Sequence, residues 1–295
     1  MKLRLLEKLV DPRAWRYQLH GLLHRWEQKS CPECGIVQCR LIDAKGMHRL
    51  YECGLCSLVY RHPRESADEM QSLYQQDYEE AGLTTDLPDP ETLSKLLKNN
   101  FAGSEKDFQY VISILKSLGI VPGMRVLDFG ANWGYLSFQL KNAGYVVESF
   151  EISSSRAAFG QRLGIDIRTN IDQVSGPFDC VISSHVIEHV PNPAATLRQQ
   201  YEMVKAGGLI VCFTPNGSEA WRNQSGGLFH RSWGLVHPVL LTRDFVRKHF
   251  SKLPYLVTSN DSPDRMGQWN QNRQDADLCD GGGLIFVVRK STLQS

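Results

Sequence analysis

A chain of 295 residues, 42% hydrophobic and 22% charged, has room for about two domains of ordinary globular composition. Its 33 basic and 32 acidic side chains leave a formal net charge of +1, so bulk charge makes no case for a nucleic-acid partner. No apolar run reaches the ~20 residues that span a bilayer, and the N-terminus lacks a signal-peptide core, which places the expectation in the cytoplasm.

The first predicted element covers residues 1–30. Leu3, Leu6 and Val10, then Trp15, Leu19, Leu22, Leu23 and Trp26 beyond Pro12, recur at helical spacing among seven basic and three acidic side chains. This reads as a basic amphipathic helix packed on its own domain or on a second copy in a homodimer. A peripheral membrane surface is the alternative.

Residues 31–62 hold two cysteine pairs, "CPEC" at Cys31 and Cys34 and "CGLC" at Cys53 and Cys56. Two residues between cysteines let one tight turn aim both sulfurs at one ion, and two such turns complete a tetrahedron. Gly35 and Gly54 stand where those turns need positive φ or close backbone approach. The intervening "IVQCRLIDA" and "HRLYEC" read as short strands, so the expectation is a ribbon around a structural zinc, whose four thiolates leave no open position. Cys39, Cys180, Cys212 and Cys279 are expected to be ordinary thiols. Residues 63–103 follow as a helical connector in which Tyr74 and Tyr78 either close a site from one side or pack the connector, the simpler role.

From residue 104 to 295 strands and helices alternate. "SEKDFQYVISILKSLGI" predicts a helix with Ser104 as N-cap; "RVLDF", "YVVESFEIS", "IDIRTN", "FDCVISSH" and "GLIVCFTPN" predict strands; "YLVTSND" and "GGLIFVVRK" predict a final antiparallel pair. Such alternation means an α/β fold with a mostly parallel sheet, ligands binding at the carboxyl ends of the strands.

The first of those turns reads "VLDFGANWGYL". A dinucleotide loop would have glycine where Asp128 stands, and a carboxylate there repels a pyrophosphate but favours a cationic ligand. Gly130 and Gly134 keep the turn, and Glu151, ending the next strand, suits a ribose hydroxyl. Acid, glycine turn and second acid together suit S-adenosylmethionine, which carries an amino group and a sulfonium but no phosphate.

At these residues the chain resembles class I S-adenosylmethionine-dependent methyltransferases, whose first motif is D-x-G-x-G-x-G. "FDCVISSHVIEHVPNP" is similar to the fourth-strand motif of the subgroup containing ubiquinone-biosynthesis O-methyltransferases and sugar methyltransferases. The cysteine module with "CGLCSLVYRHPRESADEMQSLYQQDYEE" resembles the zinc-binding module of deoxysugar C-methyltransferases. The resemblance implies a Rossmann-like seven-stranded sheet with one antiparallel strand. It also implies a cofactor site at Asp128, Gly130, Ala131, Asn132, Gly134, Glu151, Ile152, Asn170 and His185. Asn132 departs from the family's middle glycine; asparagine is the side chain that best tolerates left-handed angles. Those C-methyltransferases usually carry a further domain after the catalytic one, whereas this sequence stops just beyond "GGLIFVVRK".

An oxygen or carbon nucleophile needs a base. "HVIEHV" offers His189 as base and Glu188 as its partner or a substrate contact, with His185 lining the cofactor site; the plainer reading has Glu188 opening a helix and the histidines packed. His237, before a helix capped by Thr242, is the second catalytic candidate, and residues 217–234 form the expected substrate cover. The expected acceptor is a small molecule: a sugar, glycan precursor or secondary metabolite methylated at O or C. The competing classes are an RNA methyltransferase with a zinc module and a non-catalytic scaffold on this fold. A nicotinamide-dependent oxidoreductase ranks last because of Asp128.

Overall fold

The structure, a computed structural model, describes residues 12–66, 69, 86–259 and 263–292. Leu3, Leu6, Val10, Tyr74 and Tyr78 lie outside these residues.

The chain opens with α1 (Pro12–Leu23), β1 (Cys39–Lys45), β2 (His48–Cys53) and β3 (Val59–His62), and α2 spans Pro90–Lys98. There follow α3 (Gln109–Ser117), β4 (Arg125–Phe129), α4 (Tyr135–Asn142), β5 (Val146–Phe150), α5 (Ser154–Arg162), β6 (Ile167–Arg168) and β7 (Phe178–Ser184). Then come α6 (Pro193–Met203), β8 (Val204–Pro215), the short α7 (Glu219–Gln224) and α8 (Gly227–Arg231), β9 (Val239–Leu240) and α9 (Arg243–His249). The chain finishes with β10 (Tyr255–Thr258), α10 (Pro263–Gln268), β11 (Gln274–Ala276) and β12 (Gly283–Arg289).

The large sheet has the order β11-β10-β12-β8-β7-β4-β5-β6. Only β12 runs against its neighbours, β8 and β10, and every other pair is parallel. Seven of these strands make the expected sheet. The eighth, β11, is an edge strand of three residues whose sequence, Gln-Asp-Ala, has no apolar alternation to announce it. The central strands are apolar on both faces, as strands covered by helices must be: Val126, Leu127 and Phe129 of β4 and Cys180, Val181 and Ile182 of β7 are all buried.

Helix α3 buries Val111, Ile112, Ile114 and Leu115 against that sheet, but Ser104 does not cap it. Asp107 stands closer to the first turn and its Oδ1 accepts the Gln109 N–H at 3.1 Å, while Ser104 Oγ donates to the Phe101 carbonyl at 2.7 Å and closes an earlier turn. Thr242 does cap α9, its Oγ1 accepting the Phe245 N–H at 2.9 Å.

The cysteine module is a small antiparallel sheet in the order β1-β2-β3-β9. Its last strand belongs to the second half of the chain, with Val59 opposite Leu240 and Tyr60 opposite Val239. One apolar core accordingly joins Cys31, Tyr51, Leu58 and Tyr60 to Leu127, Phe178, Val239, Phe245 and Phe286. Helix α1 lies on this sheet through the face opposite to the one its apolar periodicity suggests. Tyr17 stacks on His48 at 3.8 Å, Gln18 Oε1 accepts the Met47 N–H at 2.9 Å, and Gly21 is so close that a Cβ there would meet His48 Cε1 at 2.7 Å. Trp15, Leu19, Leu22, Leu23 and Trp26 remain 41–83% exposed. No helix among the described residues is long and apolar enough to cross a membrane.

Candidate active site and thiolate cluster

The site is built at the carboxyl ends of β4, β5 and β7. Strand β4 turns through Gly130, at φ 83°, and Gly134, at φ 87°, which starts α4. Neither position has room for a side chain: a Cβ on Gly130 would lie 2.3 Å from Val186 Cγ2, and one on Gly134 2.6 Å from Ile165 Cδ1. The Gly130 and Ala131 N–H groups both donate to the Phe150 carbonyl, at 2.8 and 2.9 Å, fixing the loop to the end of β5.

Asn132 takes a left-handed φ of 55°. Its N–H donates to Glu151 Oε2 at 2.8 Å, and its Oδ1 accepts the Trp133 N–H at 2.9 Å and an Arg156 guanidinium N–H at 2.7 Å. The side chain therefore does what glycine could not, tying the loop to α5. Arg156 carried no recognisable sequence signal; it lies beyond the glycine motif on a helix with ordinary composition. Glu151 is 7% exposed and also accepts the Ser153 N–H through Oε1 at 2.8 Å. Each of its oxygens retains acceptor capacity for a hydroxyl. Burial raises its carboxyl above the ordinary range, against the hydrogen bonds from Ser153 and Asn132.

Asp128 does not face outward. It is buried beneath the loop, accepting from Ser137 Oγ at 2.5 Å, and Ser149 Oγ donates on to Ser137 at 2.9 Å. Burial pushes its carboxyl up to about 7, against the Ser137 bond and with help from the nearby Glu151 charge. Ile152 is 39% exposed beside Glu151. Asn170 is exposed, and its Oδ1 accepts the Asp172 N–H at 3.0 Å.

After β7 the chain bends at His185, also left-handed at φ 57°, and makes one 3₁₀ turn over Ile187–His189. Helix α6 starts only at Pro193, with Asn192 as its cap, so Glu188 does not open it. Glu188 is fully buried; its Oε1 pairs with His185 Nδ1 at 3.0 Å and its Oε2 accepts from Thr214 Oγ1 at 3.0 Å. Burial alone would raise this carboxyl. The His185 hydrogen bond and the charges of His189, His185 and His237 outweigh it and bring the group down to about 2. His185, hydrogen-bonded to Glu188, is raised in turn.

The expected partnership of Glu188 with His189 is therefore electrostatic, because the hydrogen bond goes to His185. His189 Nδ1 instead donates to the Val236 carbonyl at 2.6 Å, and His237 Nδ1 donates to the Ser232 carbonyl at 2.7 Å. A carbonyl can only accept, so in both neutral rings the proton is on Nδ1 and Nε2 is the basic atom. The two rings meet edge to face at 4.6 Å. Burial lowers His189 to about 4. Glu188, His189 and His237 bring one ligand atom each within 4.8 Å of one another, close enough to share a cation. Thr214 and the Val236 carbonyl, which hold this trio, had no signal in the sequence.

The wall beside His237 is pinned by the cysteine module. Trp233 Nε1 donates to Asp43 at 2.7 Å, His230 pairs with the same carboxylate at 2.8 Å, and Arg222 pairs with Glu52 at 2.9 Å. In that module Cys31 and Cys56 lie 3.5 Å apart, Cys34 and Cys53 3.5 Å, and Cys34 and Cys56 3.9 Å. A disulfide needs about 2.05 Å, whereas a tetrahedral ion with ~2.3 Å bonds to sulfur spaces its thiolates by about 3.8 Å. The four sulfurs fit one zinc ion. Gly35 takes φ 71°, and a Cβ on Gly54 would lie 3.2 Å from the Gln38 carbonyl, the two requirements their positions implied.

Among known proteins, a family model described as a methyltransferase domain matches residues 104–271. A ubiquinone biosynthesis O-methyltransferase from Maricaulis maris is 33% identical over 105 residues, covering 32% of this chain and 41% of that protein. Another, from Pseudomonas fluorescens, is 23% identical over 161 residues, covering 51% of this chain and 63% of its own length. Among solved structures, the magnesium protoporphyrin IX methyltransferase of Synechocystis, with S-adenosylmethionine bound, aligns at a TM-score of 0.47 and 14% identity. That alignment covers 77% of this chain and all of the Synechocystis protein. The family model takes in the glycine loop, Glu151, the Glu188-His189 turn and His237, more than half of the residues, and the chain belongs to the methyltransferase-domain family.

Proposed function

We propose that the chain is an S-adenosylmethionine-dependent methyltransferase that acts at an oxygen or carbon of a small-molecule acceptor. The observation supporting this reading is the left-handed turn Gly130–Gly134, tied through Asn132 to Glu151 and packed on Val186, next to the cluster of buried Glu188 with half-buried His189 and His237. The family match supports it, and the names of the curated relatives favour oxygen as the methylated atom. In this reading the loop backbone, Glu151, Ile152 and His185 hold the cofactor, which supplies an electrophilic methyl group on a sulfonium. The chain's own residues align the acceptor, exclude water and take up its proton. His189 Nε2 is the accepting atom. The negative charge of Glu188 favours the imidazolium that results, and His237 orients the acceptor against the wall formed by residues 217–234.

We divide the chain into an N-terminal helical segment (1–30), a zinc ribbon (31–62), a connector (63–103) and the catalytic domain (104–295). The ribbon's zinc is structural, and eight cysteines with none in a disulfide suit a reducing cytoplasm. The outward stripe of Trp15, Leu19, Leu22 and Leu23, on a helix with no acidic residue and continued by Trp26 in the turn after it, fits contact with an anionic membrane surface. Sedimentation with phosphatidylserine vesicles but not phosphatidylcholine vesicles checks that contact.

The deciding experiment is calorimetric titration of the folded protein with S-adenosylhomocysteine, followed by transfer of labelled methyl groups to a panel of phenolic and sugar acceptors. Binding in the micromolar range, roughly 8 kcal/mol, is expected. Absence of binding by folded protein would discard the enzymatic reading in favour of a scaffold.

A further inference from the structure

Away from both the methyl-transfer site and the thiolate cluster, His20 of α1, His48 of β2 and Glu65 beyond β3 bring one ligand atom each within 4.8 Å of one another. His48 is fully buried, and neither of its ring nitrogens has a hydrogen-bond partner; the buried Nδ1 of His20 has none either. Leaving such buried atoms unmet is costly, and here one nitrogen from each ring lies within 4.8 Å of a carboxylate oxygen.

The spacing leaves room for an ion. His20 Nδ1 lies 4.0 Å from Glu65 Oε1, too long for a hydrogen bond and somewhat wider than the ~3.4 Å between two atoms each bonded at about 2.0–2.2 Å to one tetrahedral ion, so a small inward movement of the side chains closes the set. Glu65 uses its other oxygen, Oε2, for the buried Arg61 guanidinium, which leaves Oε1 facing the histidines. Arg61, whose charge opposes a cation, is itself directed to that carboxylate and to the Tyr17 ring. Behind His20, the Glu69 carboxylate stands 3.9 Å from Nε2, the position of an outer group that orients a metal-bound imidazole. Gly21 permits the approach, since any side chain there would strike His48.

We propose that His20, His48 and Glu65 bind a second divalent transition-metal ion, zinc being the ion best suited to two imidazoles and a carboxylate. The ion fastens α1 and the chain after β3 to the ribbon, with a water completing its coordination.

Full-length protein prepared with added zinc and then desalted should carry two zinc ions per chain. Its X-ray absorption should show nitrogen and oxygen neighbours beside sulfur. His20→Asn and His48→Asn should each fall to one ion per chain. With cobalt(II) in place of zinc, both variants should keep intense thiolate charge-transfer bands, which report a folded ribbon. One ion per chain in the wild type, an all-sulfur shell, or a second ion that survives both substitutions would overturn the proposal. The absorption spectrum of the wild type decides the matter even where a variant fails to fold.

Discussion

At Asn132 two opposing effects meet. A left-handed φ costs an ordinary side chain about 1–2 kcal/mol, and asparagine less. Its carboxamide also accepts hydrogen bonds from Trp133 and Arg156, the latter charged. Asn132→Gly relieves the backbone and loses those bonds, so stability should change by less than about 1 kcal/mol. Asn132→Ala keeps the strain and loses both bonds, for a loss of about 2–4 kcal/mol. Denaturant melts of the three proteins read the difference directly; an alanine variant as stable as wild type would show that the carboxamide is idle.

His189 makes an acid-sensitivity prediction whose sign is fixed by its burial. Its pKa falls from the ordinary 6.5 to about 4, so the unfolded chain binds the proton more readily. The stability it contributes is present above pH 6.5 and is lost as pH falls through about 4. Glu188, held at about 2, keeps its charge throughout that window. His185 is raised, and its contribution is complete below 6.5 and lost only at higher pH. Between pH 6.5 and about 5 the slope thus belongs to His189 among Glu188, His185 and His189; nearer pH 4.5 the unfolded chain also protonates Glu188, which adds to it. His189→Gln should flatten it by about 1–3 kcal/mol, measured by melts at several pH values. An unchanged slope in the variant would mean that the imidazole is not held neutral.

At the scale of elements, what could be read from the sequence depended on how local each signal was. The glycine loop announced itself because left-handed positions restrict residue type, and even Asn132 obeys that restriction. The thiolate cluster was legible because paired cysteines on tight turns have few other uses. Periodicity in α1 gave a helix but not its orientation: Trp15 and Leu19 define an apolar face, while Tyr17, Gln18 and Gly21 do the packing. The pairing of β3 with β9 was hidden, since Val239 and Leu240 are two residues in a loop and their partners lie far back in the chain. That pairing has a consequence. Metal chelation should release hydrogen-exchange protection not only in β1 to β3 but also in β9 and residues 229–241. Strands β4 and β7, held by their own neighbours, should stay protected. Loss confined to residues 31–62 would show that the ribbon stands alone.

For the whole molecule, the ribbon and the catalytic sheet share one interior, although the family model begins only at residue 104. Leu58 and Tyr60 are fully buried in the same cluster as Leu241 and Phe245. Thr242 donates to the Ser57 carbonyl at 2.9 Å, Lys248 Nζ donates to the Leu55 carbonyl at 2.7 Å, and Glu33 accepts the Ala194 N–H at 3.2 Å. These ties converge on α6, α9 and the wall beside His237, so the cysteine module is an integral part of that wall and not an appendage. A chain cut to residues 104–295 keeps β4, β5 and β7 and the cofactor cradle but uncovers Val239, Leu240 and Leu241. Fully burying one such side chain is worth about 1.5–3 kcal/mol, and three or more are exposed together, a sum comparable to the whole stability of an ordinary domain. The truncated chain should therefore melt far below the full-length protein or associate through the bared face, with binding of a fluorescent apolar dye rising in parallel. A truncated protein that is monomeric, dye-free and equally stable would mean that the two parts merely touch, and the role given to the ribbon in shaping the wall beside His237 would fall with it.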